Sequence, residues 1–364
     1  MAKQEAPRAI TITVVGTGAE ADQQARALRG VDGVEIERLA GASEDELLEN
    51  LSRGHARAVA FASPVPDLPN AIKRAVMARR HVLVAMPVAL SSKQLRAIDD
   101  LAARREQAIV FDYGSLGDER LAFVRKMTGG PQALWRPRYI RSLRTGAHGG
   151  ATLDELAVAD LGVVLALAGG MPSRVSAFAP RVDDETGAAD AAMVTLSFDG
   201  GSVAQLDVSL VEPMLRQEIA IACDGRTIVL DALDQRAPLQ IQAAARHRGP
   251  QAAGQWAETV SEHPLADAGD RTARAASAFV AAARSGDAAA TNAAEMANAA
   301  RVWETARESM ARGGELLPLS ADGAYPEAKR PVLQLIHGGG RRVDDRPAPE
   351  LTLVARGEHP PRSA

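Results

Sequence analysis

Six residues, Gly16-Thr17-Gly18-Ala19-Glu20-Ala21, follow the apolar run Ile10–Val15 and open a helical pattern. Glycines at this spacing let backbone N–H groups approach a pyrophosphate closely, at the helix end where the macrodipole favours an anion. Ala21 stands where a third glycine is common, a permitted exchange where helix meets strand. A plain strand-to-helix turn has the same composition, so the weight of the motif rests on its place in an alternating strand and helix pattern. The next element expected is a carboxylate about 20 residues on, to hold ribose hydroxyls. The chain instead reads Leu39-Ala40-Gly41-Ala42. Arg38 lies just before, and an arginine there can accommodate a 2′-phosphate. NAD and NADP both stay open, and the plainer reading of Arg38 is a solvated charge at a strand end.

Further groups could carry chemistry. Tyr113 and Asp112 follow the fifth strand expected from the pattern, at the carboxyl end of a sheet, and a tyrosine can serve as an acid. His148 stands before Gly149-Gly150, where a solvated loop histidine is the plainer reading. Asp160 reads as a solvated helix charge, and Arg136, Arg138, Arg141 and Arg144 as a solvated or interface strand, although such a group could greet an anionic substrate. Cys223 is the one cysteine and reads as a small core residue in a strand. It can form no internal disulfide and no several-thiolate zinc site, so no metal is expected and a reducing compartment fits. His337 falls in a stretch rich in Pro, Gly and Arg.

These residues need elements to position them. From Ala9 to Phe111, apolar runs of strand length (Ile10–Val15, Val34–Leu39, Ala58–Ala62, Val82–Ala85, Ala108–Phe111) alternate with helical patterns. Ser43/Glu46 and Ser91/Gln94 have capping-box spacing, and Asp67 precedes a helix carrying Ile72 and Val76. That grammar predicts a doubly wound parallel sheet with ligands at the carboxyl ends of its strands. After about residue 125 a helix over Leu153–Leu167 is followed by four or five β segments, with short turns at Asp199-Gly200-Gly201 and Asp224-Gly225, which predicts an antiparallel sheet. Helices over Arg271–Arg284 and Asn292–Arg312 follow, the second with an Asn292/Glu295 capping box and an end at Gly313-Gly314. The expected domains are 1–125, 126–320 and a 321–364 extension.

Composition sets outer bounds. The 364 residues are 46% hydrophobic and 24% charged, with 42 Lys plus Arg against 46 Asp plus Glu. That is globular composition with no basic excess for a duplex, so no nucleic-acid partner is expected. The start MAKQEAPRA lacks a secretory pattern, and Leu161–Pro172 is far shorter than the ~20 apolar residues of a membrane span. The expectation is a cytoplasmic protein with a small-molecule ligand.

Across roughly residues 9–319 the chain resembles the glucose-fructose oxidoreductase, inositol dehydrogenase and rhizopine catabolism (Gfo/Idh/MocA) family. Ser63-Pro64 resembles the family's Thr-Pro, and Arg80-His81-Val82-Leu83-Val84-Ala85-Met86-Pro87 its Lys-His-Val-Leu-Val-Glu-Lys-Pro. Gly149-Gly150-Ala151-Thr152-Leu153 resembles the start of its substrate-domain helix, and residues from Ala299 to Gly313 its closing helix. The resemblance implies an α/β chain: an N-terminal Rossmann doubly wound parallel sheet plus a C-terminal α+β domain with an open, mostly antiparallel sheet. It also implies NAD(P) held by Gly16, Thr17, Gly18, Ala19, Glu20, Ser63, Pro64 and the Met86 position, and hydride transfer on a sugar, cyclitol or imine substrate. A homo-oligomer through the open sheet face is implied as well. The family's lysine is Met86 here, and its helix aspartate and histidine fall on Glu155 and Ala159. Sliding the register to Asp154 puts Val158 on the histidine and restores no base. Two readings follow. One is an oxidoreductase with a displaced acid/base group, for which Glu155 and Tyr113 are the candidates. The other is a catalytically inactive nucleotide-binding or partner subunit, working beside a catalytic family paralogue.

Overall fold

The computed structural model describes residues 9–41, 43–85, 87–112, 118–128, 134–146, 150–180, 189–234, 239–246, 256–262, 270–286 and 291–319. Met86, Tyr113, His148 and the 321–364 extension with His337 lie outside the described residues.

The first sheet has five parallel strands in the order β2-β1-β3-β4-β5. These are β1 (Ile10–Val15), β2 (Val34–Leu39), β3 (Ala58–Phe61), β4 (His81–Val84) and β5 (Ile109–Phe111). Strands β3 and β4 are buried at every position, as continuous apolar runs covered on both faces must be, whereas edge strand β2 carries Glu35, Glu37 and Arg38. The connecting helices are α1 (Gly18–Arg29), α2 (Glu44–Arg53), α3 (Leu68–Met77) and α4 (Ser92–Arg105). Both capping boxes form, at Ser43/Glu46 and Ser91/Gln94, and Asp67 caps α3 through the Asn70 N–H. Arg80, almost fully buried, donates to the carbonyls of Asn50 and Gly54 and so closes the carboxyl end of α2.

The second sheet has nine strands in the order β13-β12-β11-β10-β6-β9-β8-β7-β14. Its strands are β6 (Pro137–Thr145), β7 (Arg174–Phe178), β8 (Ala191–Ser197), β9 (Val203–Ser209), β10 (Arg216–Cys223), β11 (Arg226–Asp231), β12 (Leu239–Arg246), β13 (Trp256–Glu262) and β14 (Leu317–Pro318). All neighbours are antiparallel except β6 and β9, which run parallel. The sheet is therefore open and mostly antiparallel, as expected, but seven strands, β7 to β13, rather than four or five lie between the helix Leu153–Ala168 and the next helix. Cys223 ends β10 half-buried, and burial pushes its thiol up to about 11, the state of an inert strand residue.

Helix α5 (Glu119–Thr128) leads out of the first sheet, and α6 (Leu153–Ala168) lies on the second. Helix α7 (Arg271–Ser285) returns to pack on α1, where Phe279 and Val280 join a core with Ile12, Val14 and Leu28. Helix α8 (Ala293–Ala311) packs against α4, α6, β5 and β7, so one hydrophobic core runs from the first sheet to the second.

The Asn292/Glu295 capping box does not form, and the α8 start is a correction. Asn292 makes no side-chain cap. Its Oδ1 accepts from the Phe111 N–H at 2.8 Å and its Nδ2 donates to the Phe111 carbonyl at 2.9 Å, while Glu295 pairs with Arg125. Thr291 adds a hydroxyl that accepts from the Ile109 N–H at 3.0 Å. Two residues thus satisfy the free edge of β5, whose backbone groups would otherwise lack partners, and that need outweighs a local cap. On the inner side, His81 Nδ1 accepts from the Ala108 N–H at 3.0 Å. Burial, with the charge of Arg57, lowers His81 to about 4, so the imidazole is neutral and serves as an acceptor.

Two outcomes follow. Replacing Asn292 with Ala strands two backbone groups and is expected to lower the unfolding free energy by about 1–3 kcal/mol, measured by urea denaturation. For His81 the folded pKa lies below the unfolded one of about 6.5, so the unfolded chain binds the extra proton between these values. Stability is expected to be full above pH 6.5 and to fall by about 3 kcal/mol on acidification to pH 4. His81→Asn, which keeps an acceptor but does not titrate, is expected to flatten that slope, and an unchanged slope would refute the assignment.

Candidate functional site

The site begins at the β1–α1 turn. Gly16 has φ +133° and Gly18 φ +86°, values that favour glycine. A Cβ on Gly16 would stand 2.4 Å from Ser63 Oγ, so the turn and the segment after β3 are in direct contact. At Gly18 an added Cβ would meet nothing within 4 Å, which leaves open space above the turn. Thr17 is the N-cap of α1 and its side chain makes no capping hydrogen bond, unlike the N-cap residues of α2, α3, α4, α6 and α7. Thr17 thus leaves the first amides of α1 uncapped at the end of the helix that carries partial positive charge. Gly16, Thr17, Gly18, Ala19, Glu20 and Ser63 are brought together as the sequence predicted, with Pro64 following Ser63. These residues fit a dinucleotide pyrophosphate.

Arg38 is not a free solvated charge, which corrects the plainer expectation. Its Nη1 donates to the Ala21 carbonyl at 3.1 Å, and its Nη2 lies 3.5 Å from the Gly16 carbonyl and 3.0 Å from Asp22 Oδ1. Twenty-nine per cent of the side chain remains exposed.

A second cluster of charges lies between the start of α5 and the face of the second sheet that α6 covers. Asp118, Arg120, Ser142, Arg144, Asp160 and Arg271 surround a cavity of about 60 Å³. That is the share of roughly two water molecules in the liquid, far below the ~300 Å³ at which small-molecule pockets begin. Two expectations are corrected here. Asp160 is 4% exposed and Arg144 8%, and they form a two-point ion pair, Nε to Oδ2 at 2.7 Å and Nη2 to Oδ1. Neither is a solvated charge. Asp160 follows Ala159 on α6, and no local pattern told that its partner stood on β6, 16 residues earlier.

Asp118 and Arg120 were not foreseen. Their carboxylate and guanidinium meet through Nε at 2.9 Å and Nη2 at 2.7 Å. Burial pushes the Asp118 carboxyl up, but the Arg120 hydrogen bonds and charge, with the N–H groups of Leu121 and Arg120, hold it below the ordinary carboxylate range. A two-residue spacing of unlike charges was the sole signal in the sequence, and it is common on solvated surfaces. Arg138 and Arg141 do face outward, to Asp224 and Glu218.

Glu155 is brought to neither the turn nor this cluster. Its carboxylate accepts from the Thr152 N–H at 2.8 Å and the Thr152 hydroxyl at 2.9 Å, closing the capping box of α6. Ala159, expected from the resemblance at the histidine position, is 4% exposed. Asp154, the other register, turns to α8, where Trp303 Nε1 donates to it at 3.0 Å and Arg307 at 3.3 Å. Among the described residues, no group of three or more His, Cys, Asp or Glu is placed to hold a metal, and no helix is long and apolar enough to cross a membrane.

Residues 110–229, from β5 to β11, match the family described as GFO/IDH/MocA C-terminal domain. The match covers about a third of the chain and is a likeness of that stretch to the family's C-terminal domain. The resemblance read from the motifs is thereby borne out, and the wider fold agrees. A UDP-N-acetylglucosamine 3-dehydrogenase, GnnA from Acidithiobacillus ferrooxidans, superposes with TM-score 0.66 at 20% identity, over 82% of this chain and 97% of that one. GenD2 from gentamicin A biosynthesis, solved in complex with NAD, gives 0.68 at 17% identity over 87% and 98%. An inositol dehydrogenase homolog from Azotobacter vinelandii, solved with NADH and myo-inositol, gives 0.66 at 15% identity over 85% and 98%. No curated protein sequence matches the chain. The Arg144–Asp160 pair, on β6 and α6, lies within the matched stretch.

A buried pair destabilises most when one partner alone is removed. Arg144→Met is expected to cost about 3–5 kcal/mol in unfolding free energy, and the Arg144→Met/Asp160→Leu double variant to recover most of it. Equal losses in single and double variants, read by urea denaturation, would refute the pairing.

Proposed function

We propose that the protein is an NAD(P)-binding oxidoreductase of the Gfo/Idh/MocA type, with residues 1–125 holding the nucleotide and residues 126–320 facing the substrate. The observation that carries this reading is the β1–α1 turn, with two positive-φ glycines, a helix start without a side-chain cap, and Ser63 packed against Gly16. When bound, the nicotinamide would supply the hydride acceptor or donor for a sugar-, cyclitol- or imine-type substrate. In this chain the backbone amides of residues 17–20 would hold the pyrophosphate, and Ser63-Pro64 would wall the turn. The proton would have to be handled by a group other than lysine or histidine, because Met86 and Ala159 stand at those positions. Tyr113, one residue beyond Asp112 at the carboxyl end of the first sheet, is the candidate. Glu155 is the weaker one, since α6 uses its carboxylate as a cap.

A specific observation favours a second reading, a catalytically inactive subunit that keeps the nucleotide turn and works with a catalytic family paralogue. The cavity walled by Arg144 and Asp160 is about 60 Å³, and its charges are paired with one another rather than open to a substrate. A cytoplasmic location and a homo-oligomer through the open sheet face remain part of the proposal.

The deciding measurement is calorimetric titration with NAD⁺, NADH, NADP⁺ and NADPH, followed by turnover assays on polyol and imine panels. The oxidoreductase reading expects micromolar binding and a turnover that Tyr113→Phe lowers about 10²- to 10⁴-fold, the usual worth of a positioned acid or base. Binding without turnover on any panel would favour the partner reading. No binding of the four nucleotides would overturn both.

A further inference from the structure

We infer that the cleft between α8 and the adjoining ends of β8 and β9 is a binding site for a small primary amine with an apolar body. The inference goes beyond the nucleotide-binding reading and does not depend on it. The cleft shares no lining residue with the glycine turn or with the cluster around Arg144 and Asp160.

The period of the strands sets up the site. Ala192, Val194 and Leu196 of β8 are buried, as are Ala204, Leu206 and Val208 of β9, so these alternate positions face the helices that cover the sheet. Side chains two apart share a face, which turns Asp190, just before β8, and Leu210, just after β9, to the same side. The backbone there is still part of the ladder. Ala191 pairs with Ser209, and the Leu210 N–H donates to the Asp190 carbonyl at 2.8 Å, so one more pair extends the sheet and holds both residues in place. An alternation that delivers apolar side chains to the covered face along both strands thus delivers a carboxylate at their end.

Helix α8 supplies the facing wall. Trp303, Arg307 and Met310 are spaced i, i+4 and i+7, on one side of that helix, and with Asp154 of α6 they line a cavity of about 730 Å³ that also takes in Asp190 and Leu210. That volume falls in the ~300–1,000 Å³ range of small-molecule pockets. The three charges on its wall are not equivalent. Asp154 accepts from Trp303 Nε1 at 3.0 Å with one oxygen and meets Arg307 Nη1 at 3.3 Å with the other, so its charge and that of Arg307 offset each other. The Asp190 carboxylate has no hydrogen bond and no ion pair with any described residue.

A carboxylate on a partly desolvated face without a partner favours the arrival of a cation. An alkylammonium brings a positive charge and three donors, whereas a hydroxyl brings one donor and no charge, and a second carboxylate would be repelled. One free carboxylate is too small a ligand set for a divalent metal ion. Leu210 and Met310 give the rest of the molecule apolar surface to cover. The cleft therefore fits an ammonium group at Asp190 and a hydrophobic body along α8.

The test is calorimetric titration of the full-length protein with three probes that share one body: 2-phenylethylamine, 2-phenylethanol and 3-phenylpropionate. The amine is expected to bind in the ~millimolar range, as so small a ligand should, and about tenfold more tightly than the alcohol or the acid. Asp190→Asn keeps the size of the side chain and removes its charge, so it is expected to weaken the amine about tenfold, to the level of the alcohol. Its melting midpoint by circular dichroism should match that of the wild type, because the carboxylate it replaces has no partner to lose. Arg307→Met removes the cation from the wall and leaves Asp154 charged, and it is expected to tighten the amine about two- to threefold. An apolar cleft without an electrostatic preference predicts neither change. Equal binding of the three probes, binding of the acid in preference to the amine, or no binding of any probe would each overturn the inference. An Asp190→Asn variant that binds the amine as the wild type does would overturn it too, and so would a marked fall in that variant's melting midpoint, which would reveal a partner for the carboxylate inside the protein.

Discussion

An ion pair taken out of water needs both partners in register, and the pair between Arg144 on β6 and Asp160 on α6 imposes that demand at the centre of the second sheet. Helix α6 is buried along most of its length, from Leu153 to Leu167. Apolar burial is non-directional and would tolerate many rotations of so uniform a helix. A two-point guanidinium–carboxylate contact does not. It fixes which side of α6 faces the strands and therefore where Ala159, Glu155 and Asp154 point. Once that rotation is set, Asp154 meets Trp303 and Arg307, Glu155 is left at the helix start to cap it, and the space beside Arg144 shrinks to a few atoms' width.

The turn and the cluster therefore differ in kind. At the glycine turn, backbone amides are held in position with hydrogen-bonding capacity in reserve. In the cluster under α6 the charges have met opposite ones inside the protein, Asp118 with Arg120 and Arg144 with Asp160. A region of the first kind can take an anion without breaking anything. A region of the second kind can admit a polar ligand only by exchanging an internal partner for an external one, at the cost of desolvating both. The geometry thus sets a turn open to an anion apart from a cluster whose charges are already paired.

Signals confined to a few residues were legible in the sequence. Alternating apolar runs located all five strands of the first sheet within one residue, and the boxes at Ser43 and Ser91 formed because donor and acceptor lie three residues apart. Asn292 misled for the converse reason. Its spacing to Glu295 satisfied a local rule, while the groups it serves, on Phe111, are 181 residues away. The same applies to Arg144, Asp160 and Arg38, whose roles depend on partners that only folding brings near. At the turn the glycines were readable, because backbone conformation is a local property. The state of Arg38 was not, because the packing of α1 beside β2 sets the distance from Arg38 to Ala21.

The closed edge of β5 has a consequence for how the chain is made. Synthesis runs from the N-terminus, and the first five strands are complete once Phe111 has emerged. The residues that cover the outer edge of β5, Thr291 and Asn292, emerge after every strand of the second sheet but the last. Throughout that interval a growing polypeptide carries an uncovered parallel edge, the feature that invites pairing with another chain. Strand β5 is three residues long, which limits what a foreign strand could gain there. Its brevity protects the unfinished molecule, and the late asparagine protects the finished one.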